Sequence, residues 1–149
     1  MDELRSFVFT CSDEEDKVEK ILTAVKKLKR DGFKGEEIVI LQRNMALGVY
    51  IETAFKKKGI EDVLIKSIHD VLDERYEAVF ILGMEEGIFP HGGKSLDKER
   101  DLFFKGVCAA KRIIVLSYME NRLWYGERKE REKSRFIDEL RSIVRAVWH

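Results

Sequence analysis

The residues of this sequence that could do chemistry fall in three places. Glu85 and Glu86 follow an apolar run, Ala78 to Leu82, and an acidic pair at such a position can hold magnesium and water in a nucleotide hydrolase. Downstream, Gly93-Lys94-Ser95 has the ending of a phosphate-cradling loop, G-x-x-x-x-G-K-[ST]. The first glycine of that motif falls at position 88, which is Ile88; Gly87 is one place too early, and no strand leads directly into the segment. Gly93 to Ser95 therefore reads as loop punctuation. Without a phosphate cradle the acidic pair has no metal to serve, so both carboxylates are expected in solvent. The third place is a run of cations, Arg122, Arg128, Lys129, Arg131 and Lys133, able to track phosphates. Trp124 and Tyr125 beside them could stack on bases. Glu127, Glu130 and Glu132 alternate with the cations, which is also the pattern of a solvated charged face.

Metal and thiol chemistry find little support. His69, His91 and His149 are scattered and make no ligand spacing with cysteine or one another. His69 stands out only by its place at a strand end. Cys11 and Cys108 lie far apart and match neither a redox pair nor a zinc motif, which suits reduced thiols in a cytoplasmic protein.

The elements that must position these residues alternate. Ser6 to Thr10 is β-rich; Ser12 and Glu15 then read as a capping box opening a helix with Val18, Ile21, Leu22, Val25 and Leu28 on one face. Gly32 ends it. Glu37 to Leu41 is a second strand with Gln42-Arg43-Asn44 as its exit, and Met45 to Lys58 a second helix packing through Leu47, Ile51, Ala54 and Phe55. Val63 to Ile65 gives a third strand ending near Ser67-Ile68-His69. Asp70 to Glu77 reads as a turn or a single helical turn. Ala78 to Leu82, a helix from Leu96 and the strand Ile113 to Tyr118 form one βαβ unit. Glu120 to Lys133 is charged and mobile in appearance, and Ser134 caps a last helix carrying Phe136, Leu140, Ile143 and Val147. Alternating strands and helices predict an α/β, three-layer, doubly wound and mostly parallel sheet. In such sheets ligands gather at the carboxyl ends of strands, here near Arg43, His69 and Glu85-Glu86.

Composition narrows the class. The 149 residues suit a single domain over 1–149, and 28 basic against 28 acidic residues exclude a blanket basic field. No run of residues approaches a membrane span, and the first residues lack the apolar stretch of a signal peptide.

From Val79 to Tyr118 the chain resembles the C-terminal RecA-like domain of UvrD/Rep/PcrA-type superfamily 1 DNA helicases. Gly83-Met84-Glu85-Glu86-Gly87-Ile88-Phe89-Pro90 matches that family's Gly-x-Glu-Glu-Gly-x-Phe-Pro loop, and Glu99 to Phe104 its Glu-Arg-x-Leu-Phe-Tyr helix. Lys111 to Tyr118 and Ser134 to Leu140 match the segments that follow, and Ile38 to Asn44 looks like the fourth motif. The large accessory subdomain of the family is crossed here in the few residues between Gly59 and Ser67. The resemblance implies a RecA-like fold of the P-loop NTPase kind without a P-loop.

The departures bear on function. Where the family's sixth motif carries its arginine finger, this chain has Ala109. Loss of such a group costs about 10³ to 10⁵ in turnover. Arg112 lies three residues on, displaced roughly 4.5 Å if helical, which makes rescue a poor expectation. In the fifth motif Ser67 and His69 are kept, while Asp70 and Leu72 replace the lysines, Asp73 the glycine and Arg75 the ribose-binding glutamate, and Asp70, Asp73 and Glu74 add negative charge. Arg43 survives and, by resemblance, points at the nucleotide cleft; its alternative is an ion pair with a surface carboxylate. The resemblance thus implies a degenerate helicase domain, silent alone, acting as a nucleic-acid or protein interaction module through Ser67, His69, Arg128, Lys129 and Arg131. The alternative is the second motor domain of a split ATP-dependent DNA helicase, lending Arg43 to an ATP site on a partner or a missing N-terminal domain. No cofactor is expected for the chain alone; ATP and magnesium are implied only through the family. Implied partners are single-stranded DNA, a P-loop helicase or another DNA-repair protein, and no membrane. A phosphoacceptor receiver, the remaining doubly wound option, lacks its aspartate cluster.

Overall fold

The computed structural model describes residues 4–124 and 126–147. Tyr125 and His149 lie outside the described residues, as do the side chains of Leu47, Trp124, Ile143 and Val147. The elements run β1 (Arg5–Cys11), α1 (Glu14–Arg30), β2 (Ile38–Gln42), α2 (Val49–Lys57), β3 (Leu64–Ser67), β4 (Tyr76–Leu82), α3 (Leu96–Cys108), β5 (Ala110–Met119), β6 (Asn121–Trp124), β7 (Glu127–Glu130) and α4 (Arg135–Val147). β1 to β5 form one sheet in the order β1-β5-β4-β2-β3, every pair parallel.

Parallel sheets need both faces covered, and the central strands show it. Ile38, Ile40, Phe80, Leu82 and Val115 point to one side, where they meet Ile21, Val25, Ile51 and Phe55 of α1 and α2. The alternate residues, Val39, Leu41, Val79, Ile81, Ile114 and Leu116, meet Phe103, Val107, Phe136 and Leu140 of α3 and α4. Two helical layers around one parallel sheet make the three-layer α/β fold that alternation in the sequence implies. Antiparallel pairing is found in the separate two-stranded β6–β7 hairpin and in isolated bridges between Glu85 and Lys133 and between Ile88 and His91.

Three local expectations are corrected. The first helix is capped by Asp13 rather than Ser12: Asp13 Oδ1 accepts from Asp16 N at 2.9 Å, and Asp16 Oδ2 accepts from Ser12 N at 2.9 Å. Carboxylates outcompete a hydroxyl here because charge-assisted bonds are stronger and anions suit the helix N-terminus. The segment at 70–77 is not a uniform turn. A 3-10 turn at Ile68–Asp70 caps on Ser67, and β4 starts at Tyr76. Finally, within 120–133 Asn121–Trp124 and Glu127–Glu130 pair as the β6–β7 hairpin, with Gly126 at φ +79° just before β7.

Candidate functional site at the carboxyl edge of the sheet

β4 ends at Leu82, and Gly83 at φ +72°, a conformation that side chains disfavour, turns the chain back over the sheet. Met84 N then donates to Ser117 O at 3.0 Å. This places Glu85 in the interior with no exposure. Its carboxylate accepts from Met119 N at 3.1 Å and from Arg122 at 2.9 Å (Nε) and 3.1 Å (Nη2). A charge so buried is tolerable because a two-pronged guanidinium and a backbone amide share it. Glu86 faces the other way. It accepts from Arg135 N at 2.7 Å and Arg135 Nη2 at 2.6 Å, and that guanidinium holds its carboxyl below the usual range. Phe89 closes the loop, edge-on to Phe103 at 6.0 Å and to Phe136 at 5.5 Å.

The acidic pair is therefore not solvated, as the sequence alone suggests; it clamps the loop to the hairpin on one side and to α4 on the other. Its oxygens are spent on arginines and amides. Among the described residues no group of three or more His, Cys, Asp or Glu side chains is placed to hold a metal.

Arg43 leaves the end of β2 and is also engaged. Its Nε lies 3.1 Å from Glu99 Oε1 and its Nη2 3.2 Å from Glu99 Oε2, and Glu99 further accepts from His91 N at 2.7 Å. The side chains are only 12% and 4% exposed, so the partner is an interior carboxylate of α3 rather than a surface one. Gln42 is in register with Ser67, which brings Arg43, Ser67 and His69 to neighbouring strand ends. His69 is exposed; its Nδ1 is 3.2 Å from Ser67 Oγ, which also accepts from His69 N.

The positions that the resemblance assigns to nucleotide chemistry do not meet. Arg43 sits at the carboxyl edge, where Gln42 pairs with Leu82, whereas Ala109 precedes Ala110, which pairs with Tyr76 at the amino edge. The seven residues of β4 separate them by roughly 20 Å. Arg112 lies in β5, not in a helix, and its guanidinium stacks 4.9 Å above the Phe33 ring. The arrangement does not fit two groups converging on one phosphate, with or without magnesium.

The hairpin cations divide. Arg128 is 65% exposed, 3.6 Å from Asp13 Oδ2, and Lys129 is exposed 3.5 Å from Glu127. Arg131 instead donates to Glu86 O at 2.9 Å and is largely covered. Because Arg128 reaches Asp13, just past the end of β1, the hairpin lies on the same carboxyl edge as the loop. The sequence reading missed the pairs Glu85–Arg122, Glu86–Arg135 and Arg43–Glu99. Their partners lie tens of residues apart, and only the third dimension joins them.

No protein-family model matches the chain. It is similar in sequence to DNA helicase II of Escherichia coli (strain K12), 39% identical over 84 residues, covering 52% of this chain and 12% of the relative. The ATP-dependent DNA helicase Rep of the same organism is 29% identical over 94 residues, covering 60% and 14%. The ATP-dependent DNA helicase PcrA of Bacillus subtilis (strain 168) is 24% identical over 132 residues, covering 83% and 18%. The match thus spans less than a fifth of the length of each of these relatives. Among solved structures, the C-terminal domain of a possible DNA helicase from Lactobacillus plantarum WCFS1 superposes with a TM-score of 0.63 at 13% identity, over 80% of this chain and 76% of that one. At that identity the likeness speaks for the fold.

Proposed function

We propose that this chain, homologous over about half its length to UvrD-, Rep- and PcrA-type helicases, is a helicase-derived interaction module that is catalytically silent on its own. The observation that carries this is the separation of Arg43 from Ala109. One position is locked on Glu99 at the carboxyl edge, and the other is a buried alanine at the amino edge. An ATP site needs cationic groups pre-aimed at the charge that develops on the transferring phosphate, and this chain offers no such pair. Its sequence also holds no phosphate-binding loop. The carboxyl edge instead offers a surface: exposed His69 beside Ser67, and the Arg128 and Lys129 side chains of a hairpin anchored by the buried Glu85–Arg122 pair. Those groups suit the phosphates of a single-stranded nucleic acid.

Steady-state ATP turnover, measured with and without single-stranded DNA, tests the silent half of this proposal. The expected rate equals that of buffer in both cases. Turnover above buffer by the chain alone would contradict the proposal, and turnover that rises only when the chain is added to a P-loop helicase domain and falls again in Arg43→Ala would favour the split-motor reading instead.

A further inference from the structure

The opposite edge of the sheet carries a second charged surface. α1 and α2 both end at the amino ends of β2 and β3, which are neighbours with Val39 beside Leu64. The segments after the two helices touch: Lys29 Nζ is 2.7 Å from Asp62 Oδ1, and Gly35 abuts the Asp62 side chain so closely that a Cβ there would clash with it. This topology gathers Lys26, Arg30 and Lys34 with Lys56, Lys57 and Lys58. All six are exposed, and none has an ion-pair partner among the described residues. Of the carboxylates in the same segments, Asp31 and Asp62 are taken by Lys27 and Lys29 and Glu37 accepts from Lys34 N, while Glu36 and Glu61 are exposed among the cations. Helix dipoles explain cations in the last turns, but Lys34 and Lys58 lie outside both helices. Over residues 26–37 and 52–62 eight cations stand against six carboxylates, a local excess of two in a chain of zero net charge.

We propose that this amino-edge patch binds the phosphate backbone of double-stranded nucleic acid without reading its sequence. Five of the six cations are lysines, flexible point charges suited to phosphates rather than to the fork geometry of base edges. Single-strand binding draws on aromatic platforms; of the rings beside this patch, Phe33 is half-buried beneath Arg112 and Phe55 is buried. A duplex presents one charge per about 1.7 Å of axis, so several lysines on two packed helices can be engaged together. The proposal takes from the helicase-derived reading only the expectation of nucleic acid, and its surface lies across the sheet from Arg128 and Lys129.

The test is fluorescence anisotropy of a labelled blunt duplex and a labelled single strand, each titrated over a salt series. Neutralising three lysines (Lys56→Gln, Lys57→Gln, Lys58→Gln) is expected to weaken duplex binding about tenfold or more at low salt. It should also lower the slope of log K against log salt by about 2 to 3. The variant Lys98→Gln, an exposed cation of α3 outside this patch, should leave duplex binding within about twofold of wild type. Circular dichroism of both variants verifies the fold. Absence of duplex binding at low salt, or a slope unchanged in the lysine variant, overturns the proposal. Polyglutamate binding as tightly as the duplex also overturns it, assigning the patch to an acidic protein. Duplex binding lost with the lysines while the single strand fails to bind upholds this patch and sinks only the carboxyl-edge contact.

Discussion

Glu86 and Arg135 show what a single pair contributes to the clamp. Arg135 holds the Glu86 carboxyl below its ordinary value, so this interaction is in place above about pH 4.3 and is lost as pH falls through the lower, folded-state value. Arg135→Ala removes the cause. Urea midpoints of wild type and Arg135→Ala are therefore expected to differ at pH 7 and to converge as pH falls below the lowered folded-state value, where Glu86 is protonated in both folded and unfolded chains. A gap of constant size across that range would mean that Arg135 acts through packing alone. At this scale the sequence was least informative. It identified Glu85, Glu86 and Arg43 as notable, yet it placed the acids in solvent. A charged residue has no local mark of burial; only its distant partner decides.

At the scale of elements, the Gly83-to-Pro90 loop works as a joint between β4, the hairpin and α4. Glu85 has no exposure and its partner Arg122 only 7%. Arg122→Met leaves the buried Glu85 charge with the Met119 amide and the Arg131 Nε 4.0 Å away, and such breaks typically cost about 3–5 kcal/mol. Adding Glu85→Gln removes the orphaned charge while keeping an oxygen for Met119 N, so the double variant is expected to be more stable than Arg122→Met alone. Urea denaturation decides: equal or greater loss in the double variant would show that the pair is not a coupled unit. Elements themselves were largely legible, since β2, β4 and β5 are runs too apolar for anything but buried strands. The hairpin was not. Alternating Arg, Lys and Glu from Arg128 to Lys133 carry no apolar period, and what orders them is the anchor at Glu85 together with the turn at Gly126.

For the whole molecule, the parallel sheet separates two edges. The carboxyl edge gathers the loop clamp, Arg43, Ser67, His69 and the hairpin; the amino edge gathers the helix C-termini with their lysines and Ala109. Order and layering followed from alternation in the sequence, because each helix must return the chain to begin a parallel strand. That the positions tied by resemblance to nucleotide chemistry fall on both edges could not be read in one dimension. The chain is similar over about half its length to DNA helicase II, and in this arrangement Arg43 and Ala109 stand at opposite edges of the sheet. What remains for the carboxyl edge is contact. The most direct measurement is fluorescence anisotropy of a labelled single-stranded oligonucleotide at two salt concentrations, with wild type and with Arg128→Glu plus Lys129→Glu. Binding that weakens steeply with salt, and that the double reversal reduces about tenfold or more, is the predicted result. No binding by the wild type at low salt would contradict the nucleic-acid contact and turn the search to a protein partner on the Glu85-to-Ser95 loop.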